Sequence, residues 1–373
     1  MELRVQIVDP PAYTPPYDRA LCAALARAGV EVELVTTRFP YGPVTPADGY
    51  RVSELFYPRA ARLAAGSAAR RPLRFAEHLP GMLRLRSHAA GADLVHLQWL
   101  SVPTLDRFVL PPRPRVLTVH DPPPSRERER ARLRSLLRRM DAVITHTDEG
   151  ARRLREVGAD PRRVHRVPHG SFDHLTRQRD ERPLPDELAA VEGPVILCFG
   201  LVRPYKGVDI LLEAFRELEG AELWVVGMPR MSLAPLRELA DRCRSPVRFV
   251  PRFITDPEIP AYFRRADLVA LPYRAVEQSG VLYTALAFGK PIVASAVGGL
   301  AEIGEREGAL RLVPAADPAA LAAALAELLA EPGARRALAA AARAAASGPH
   351  SWDSVAERTV AVYDAVLGGG SRR

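Results

Sequence analysis

A chain of 373 residues, 47% hydrophobic and 26% charged, is too long for one ordinary domain and has the balance of a globular protein with room for two α/β domains. Cys22, Cys198 and Cys243 are scattered and lack metal-ligand spacing, which excludes a disulfide framework, and no apolar run reaches the roughly 18 residues of a membrane span, so a cytoplasmic protein is expected. The net charge of +8 is uneven: residues 1–185 hold 31 arginines against 21 acids (+10) and residues 186–373 hold 21 basic against 23 acidic residues (−2), which argues against a uniformly basic nucleic-acid binder and for a basic half that meets something anionic.

The chain opens on Leu3-Arg4-Val5-Gln6-Ile7-Val8, a short alternating strand, without the basic head and apolar region of a signal peptide. A helix pattern runs from Tyr17 to Ala28 and stops at Gly29, and Val30 to Val35 reads as a second strand. Strand, helix and strand on short joins make a right-handed parallel unit. Four more buried strands are predicted at 93–97, 115–119, 141–145 and 163–167, each ending in polar, proline or glycine residues, where parallel sheets carry their ligand loops. Within this series, Ser125 to Asp141 forms an arginine-rich helix with Leu133, Leu136, Leu137 and Met140 in one apolar stripe. It reads first as a solvated helix packed on the sheet, and alternatively as a basic amphipathic helix touching anionic lipid.

Residues 176–193 are charged and proline-bearing, without a sustained apolar period, and read as a linker. A second strand series follows at 195–199, 222–226, 247–250, 267–271 and 291–294, with helix patterns between. Residues 318–346 read as Ala-rich helices, Trp352 to Leu367 as a last amphipathic helix, and Gly368 to Arg373 as a disordered tail. The predicted class is α/β with two Rossmann-like domains, 1–175 and 194–348, a closing helix over 349–367, and a cleft between the domains.

The chemistry-bearing residues sit at strand ends. Phe199-Gly200-Leu201-Val202-Arg203-Pro204-Tyr205-Lys206-Gly207 takes a buried strand through a glycine and two cations into the helix Val208 to Phe215. Gly200 permits a close backbone approach, while Arg203 and Lys206, expected in a solvated cleft, offer a planar fork and a point charge to a diphosphate. An ordinary loop with surface cations fits the same short pattern. Lysine usage weighs against it, because Lys206 and Lys290 are the only lysines beside fifty arginines. Lys290, in Gly289-Lys290-Pro291, is compatible with a surface turn.

Glu277-Gln278-Ser279-Gly280 leads into a helical run from Val281 to Phe288, so backbone N–H groups and the helix dipole make an anion site there, with Ser279 also placed to cap. Val119-His120-Asp121 ends a strand of the first half, where a histidine can bond a sugar hydroxyl or move a proton; a loop histidine bonded to backbone is the plainer alternative. His169-Gly170 marks a similar rim or a turn.

These residues resemble the family-4 retaining glycosyltransferases of the GT-B fold over nearly the whole chain, most closely over 195–302. Gly200 to Phe215 looks like the family's glycine–basic–Lys-Gly helix start, and Asp267 to Pro272 like its strand before the donor loop. Glu277 to Gly299 is similar to its acidic loop, helix and Gly-Lys-Pro strand, in a Gln-Ser-Gly variant. The resemblance gives Arg203 and Lys206 the donor pyrophosphate, sets Glu277 near the transferred sugar, Gln278, Ser279 and Gly280 along the donor, and His120 by the reacting sugar. It implies a nucleotide-diphosphate-sugar donor, no cofactor, no metal and retention of configuration. Partners beyond the donor are an acceptor the sequence does not name and a peripheral contact with the inner face of an anionic membrane, with no nucleic acid.

The sequence departs from the family's pattern at three places. Thr284 stands near the position of the family's second glutamate, assigned to the ribose. Leu201 follows the glycine where an arginine is usual, so Arg203 substitutes. The glycine pair of the first loop is replaced by Pro10-Pro11-Ala12-Tyr13-Thr14-Pro15-Pro16-Tyr17, which leaves Tyr13 and Tyr17 as the acceptor-side residues. A catalytically silent binding subunit and a nucleotide-sugar epimerase are the alternatives.

Overall fold

The computed structural model describes residues 3–40, 42, 44, 46–64, 66–121, 123, 124 and 126–370. The chain divides into two compact units, Met1–Gly170 with Trp352–Arg373, and Ser171–Ser351. Residues 176–193, read as a linker from the sequence, therefore count with the second unit. They carry part of a 3-10 turn (Asp173–Arg177) and a short helix (Asp186–Ala189) whose Leu188 is buried in that unit's core.

The first unit is built on strands β1 (Arg4–Val8), β2 (Glu31–Thr36), β3 (Arg51–Glu54), β4 (Leu94–Leu97), β5 (Arg115–Thr118), β6 (Ala142–Thr145) and β7 (Val164–Arg166). They pair in parallel in the order β3-β2-β1-β4-β5-β6-β7. Helices cover both faces of such a sheet, so its central strands are buried throughout, as in all four residues of β4 and of β6. His96 lies inside β4 and is tolerated there because Tyr363 Oη and Thr118 Oγ1 each sit 2.7 Å from one of its ring nitrogens.

The second unit carries β8 (Val195–Phe199), β9 (Glu222–Val226), β10 (Val247–Val250), β11 (Leu268–Leu271), β12 (Ile292–Ser295) and β13 (Leu310–Val313), parallel in the order β10-β9-β8-β11-β12-β13. In each sheet the order turns back beside the first strand, between β1 and β4 and between β8 and β11. Loops at the carboxyl ends of the strands diverge at such points and leave room for a ligand.

β3, Arg51-Val52-Ser53-Glu54, has a single apolar residue and escapes the sequence reading, as does β13, whereas the other two edge strands, β7 and β10, are read from the sequence. The helix Arg70–His88 escapes it as well: Pro72, Pro80 and Gly81 read as breakers, yet Pro72 falls in the first turn and Pro80 is carried inside the helix. The Ala-rich stretch forms two helices, Pro318–Ala330, capped by Asp317 Oδ1 on Ala320 N at 2.9 Å, and Pro332–Ser347. The last helix, Trp352–Gly370, belongs to the first unit. Its Trp352 indole takes the space a Cβ at Gly170 would need, 2.4 Å from its nearest ring atom, and Asp353 pairs with Arg27 at 2.6 Å. This helix runs to Gly370, where a disordered tail is expected from 368; residues 371–373 of that tail lie outside the described residues. Among the described residues, no helix is long and apolar enough to cross a membrane.

Candidate functional site

In the second unit the loop after β8 and the loop after β11 converge. A 3-10 turn, Pro204–Lys206, ends on Gly207 at φ 64°, and a Cβ there would lie 2.0 Å from the Pro272 carbonyl oxygen. Gly207 thus lets the two loops touch, and Arg274 locks them, donating to the Pro204 carbonyl at 2.9 Å and pairing with Asp209 at 2.5 Å. Gly200, at φ 97°, leaves room for the Lys206 ammonium, which would sit 2.9 Å from a Cβ at that position.

Lys206 is buried, not solvated: it is 7% exposed, with Nζ 3.5 Å from the Phe199 carbonyl oxygen and 5.0 Å from the Tyr273 ring centre. The ring face offers this cation partial compensation. Burial is the main cause that moves its pKa below the ordinary lysine value, with the nearby Arg203 adding to it. Among the described residues, the Arg203 guanidinium makes no hydrogen bond or ion pair, so its donors are available.

Tyr273 Oη lies 3.2 Å from Ser279 Oγ, which caps the helix Gly280–Ala287 by accepting from Leu282 N at 3.4 Å. Lys206, Tyr273 and Ser279 therefore form one continuous contact chain between the two loops. A Cβ at Gly200 would also be 3.1 Å from Val281 Cγ2, which brings the start of this helix against the glycine. Glu277 and Ser279 are each 5% exposed, and Gln278 accepts from Tyr283 Oη, while its Nε2 is buried with no partner among the described residues. Thr284 is buried and its hydroxyl donates to the Gly280 carbonyl at 2.9 Å, one turn back in the same helix. Lys290 is not a surface residue of its turn. Its Nζ donates to the carbonyls of Arg264 and Ala266 at 2.9 and 2.8 Å and closes the end of the helix Ile259–Arg265.

In the first unit the carboxyl ends of β4, β5, β6 and β7 place Gln98, His120, His146 and His169 together around Tyr17. The Tyr17 ring centre lies 5.0, 5.4, 4.8 and 5.2 Å from the rings of His120, His146, His169 and Trp352. Tyr17 is 3% exposed, whereas Tyr13 is 60% exposed and leans on Trp99 at 4.7 Å; Trp99 in turn stacks on His120 at 4.8 Å. Of the two residues read as acceptor-side, only Tyr13 reaches the surface.

The hydrogen-bond chain sets the proton positions. His146 Nδ1 is 2.9 Å from the Val167 carbonyl oxygen, which can only accept, so Nδ1 carries a proton. In a neutral His146 the other nitrogen is then an acceptor for His120 Nδ1, 3.1 Å away. His120 Nε2 lies 3.0 Å from Gln98 Oε1. With that oxygen facing it, one of the two imidazoles must hold a second proton; with the amide flipped, both are neutral. Burial first, then the neighbouring His146, His169 and His96, push His120 well below the ordinary histidine range, which selects the neutral pair. Both His120 nitrogens are thus engaged by protein.

Beneath the first loop, Asp9 Oδ2 accepts from Tyr13 N at 2.6 Å and Thr14 N at 3.3 Å. Asp9 and Asp18 are both fully buried, and each carboxyl is raised, burial being the largest cause. The sequence reading missed Gln98, Trp99, His146 and Tyr273. A signal for Gln98 and His146 was present, since each directly follows a predicted strand as His120 does.

A family model described as glycosyl transferases group 1 matches residues 193–331, and one described as glycosyltransferase family 4 matches residues 19–171. A D-inositol 3-phosphate glycosyltransferase of Kineococcus radiotolerans is 32% identical, over 92% of this chain and 88% of that protein. Among solved structures, sucrose-phosphate synthase from Thermosynechococcus elongatus superposes with a TM-score of 0.76 at 22% identity, over 99% of this chain and 100% of that one. The Anabaena protein HepE in complex with UDP-glucose gives 0.73 at 18% identity, over 98% and 100%. The chain is a glycosyltransferase of the GT-B type, a member of the group 1 and family 4 glycosyltransferases.

Proposed function

We propose that the chain moves a sugar from a nucleotide-diphosphate donor to an acceptor hydroxyl, with retention at the anomeric carbon and without metal or other cofactor. The contact chain Lys206–Tyr273–Ser279, which joins a buried ammonium to a capped helix start, carries this reading. As the glycosidic bond breaks, negative charge builds on the leaving diphosphate. Lys206, Arg203 and the first N–H groups of the helix Gly280–Ala287 are the groups that stabilise it. Gly200 admits the phosphates, Glu277 and Gln278 attend the transferred sugar, Ser279 and Gly280 the phosphates, and Thr284 the ribose side. His120 is assigned to the reacting sugar and Tyr13, over Tyr17, to the acceptor. Retention rests on the likeness to the family.

UDP-glucose, the ligand of the Anabaena neighbour, and inositol phosphate, named for the Kineococcus relative, are the donor and acceptor to assay first. Peripheral contact with an anionic membrane belongs to the same reading and rests on the +10 of residues 1–185. The silent binder and the epimerase gain nothing from relatives that are transferases by name.

Lys206→Ala and Arg203→Ala are each expected to lower the transfer rate by about two to three orders of magnitude, the scale of losing one charge-stabilising donor. EDTA should leave transfer unchanged. Wild-type turnover by the double variant would refute the donor-site assignment.

A further inference from the structure

Helix Arg70–His88 buries Met82 and Leu85 on one side and shows a second apolar face to solvent. Phe75, Leu79 and Leu83, 65%, 45% and 50% exposed, stand at i, i+4 and i+8 on that face. Exposed Pro72, Ala76 and Pro80 lie alongside them. The short helix Pro103–Asp106 is tied to the long one by the buried His78–Asp106 contact at 2.5 Å, and its neighbourhood adds exposed Leu105 and Phe108. These two segments hold five of the eight exposed large hydrophobic side chains among the described residues, which makes the patch a feature rather than scatter.

The surroundings of the patch are cationic. Arg71, Arg84 and Arg86 are exposed on the same helix, and none of them forms an ion pair among the described residues. Arg107 and Arg139 lie 4.6 and 5.9 Å from the Phe108 ring centre. The helix has one acid, Glu77, and its carboxylate is spent on the Arg59 and Ala60 backbone N–H groups at 3.1 Å. By contrast, the arginine-rich helix Glu127–Leu137 packs inward. Leu136 and Leu137 are buried, while Arg130 and Arg134 bond the Glu156 and Val157 carbonyls at 3.4 and 2.6 Å.

We propose that helix Arg70–His88 docks on an anionic lipid surface, with Phe75, Leu79 and Leu83 entering the headgroup boundary and Arg71, Arg84 and Arg86 taking lipid phosphates. An apolar strip accompanied by guanidinium groups that form no ion pair among the described residues, with Arg84 bonded only to the Pro80 carbonyl at 3.4 Å, matches that surface in both terms, burial and charge. A second copy of the chain matches it poorly, since a two-fold contact sets the same arginines against one another with no acid on the face to meet them. The inference rests on the peripheral-contact reading and names its surface.

Flotation of the full chain with phosphatidylcholine vesicles, with and without phosphatidylglycerol, tests it. The wild type should float with the anionic vesicles and lose binding as salt rises. The Arg71→Gln, Arg84→Gln, Arg86→Gln variant should bind roughly 100-fold more weakly, from three arginines near a charged surface. Phe75→Ser, Leu79→Ser, Leu83→Ser should fail to float while keeping the wild-type circular dichroism melt. A wild type that ignores anionic vesicles overturns the peripheral reading itself. Salt-sensitive flotation that both folded variants retain overturns the surface alone. Self-association lost in the serine variant gives the face to a second copy and overturns the lipid assignment.

Discussion

Lys206 and Lys290 do related work at different places. Each ammonium approaches backbone carbonyls inside its unit, Lys206 toward Phe199 and Lys290 on Arg264 and Ala266. A compact three-donor head fits such a spot, where a planar guanidinium needs a wider opening. Lysine scarcity therefore flagged two positions of tight packing, and only one of them lies on a loop proposed to hold the donor. His120 poses a different question, because its Nδ1 meets His146 and its Nε2 meets Gln98. Proton transfer through His120 requires Gln98 to give way. His146 acts on it as a positioning residue, fixing the tautomer through the Val167 carbonyl. Wild-type His120 is expected to stay neutral and show no titration across neutral pH by NMR. His146→Phe removes the acceptor and one source of the downward shift, so His120 should titrate closer to the ordinary value of about 6.5. His146→Asn, which keeps an acceptor, should leave the tautomer nearer wild type. An unmoved His120 titration in His146→Phe would dismiss the coupling.

At the scale of elements, the loops after β8 and β11, proposed to hold the donor, depend on backbone approach more than on any side chain. Gly207 and Gly220 have similar positive φ, 64° and 76°, but a Cβ at Gly220 meets nothing within 4 Å, whereas one at Gly207 would lie 2.0 Å from the Pro272 carbonyl oxygen. Gly220→Ala should cost only the left-handed backbone term, about 1–2 kcal/mol, with donor binding intact. Gly207→Ala adds the steric conflict and should separate the loops, so both the melt and the donor isotherm should suffer. Equal effects of the two substitutions would mean that the loop contact is dispensable.

Elements of this kind were legible where burial is continuous. β8, β9 and the helix Val208–Phe215 match their predicted spans end to end, and the Arg203–Lys206 loop could be placed between β8 and that helix. β3, with one apolar residue in four, and the proline-bearing helix Arg70–His88 could not, since sparse apolar residues and proline erase the periodic signal. The ring cluster about Tyr17 was only half visible. His120 and His169 stood out at strand ends, but Gln98 and His146 come from the ends of β4 and β6 and Trp352 from the last helix, and only tertiary packing brings these around Tyr17.

Across the whole molecule, the buried imidazoles and the buried carboxyls pull stability in opposite directions with pH. His96 is pushed down to about 3 by burial with a smaller contribution from His146, and His120, His165 and His174 are all lowered, burial being the main cause in each. Below pH 6.5 the unfolded chain protonates these rings and the folded chain resists, so the unfolded state binds more protons and stability falls as pH drops. Each ring that stays neutral contributes a slope approaching about 1.4 kcal/mol per pH unit. Asp9, Asp18 and Asp256 have the opposite sign, each raised with burial as the largest cause. Their raised values mean that the folded state holds protons the unfolded chain releases above about 3.8, a stabilisation lost as pH rises through the folded values. Four rings outnumber three carboxyls between pH 7 and 5, so the melting temperature should fall over that interval. His96→Gln, which keeps polar groups for Tyr363 and Thr118, should flatten the fall, and Asp18→Asn should steepen it by removing the opposing term. A wild-type melting temperature that is level or rises on acidification from pH 7 to 5 would show that the raised carboxyls, not the imidazoles, govern the balance.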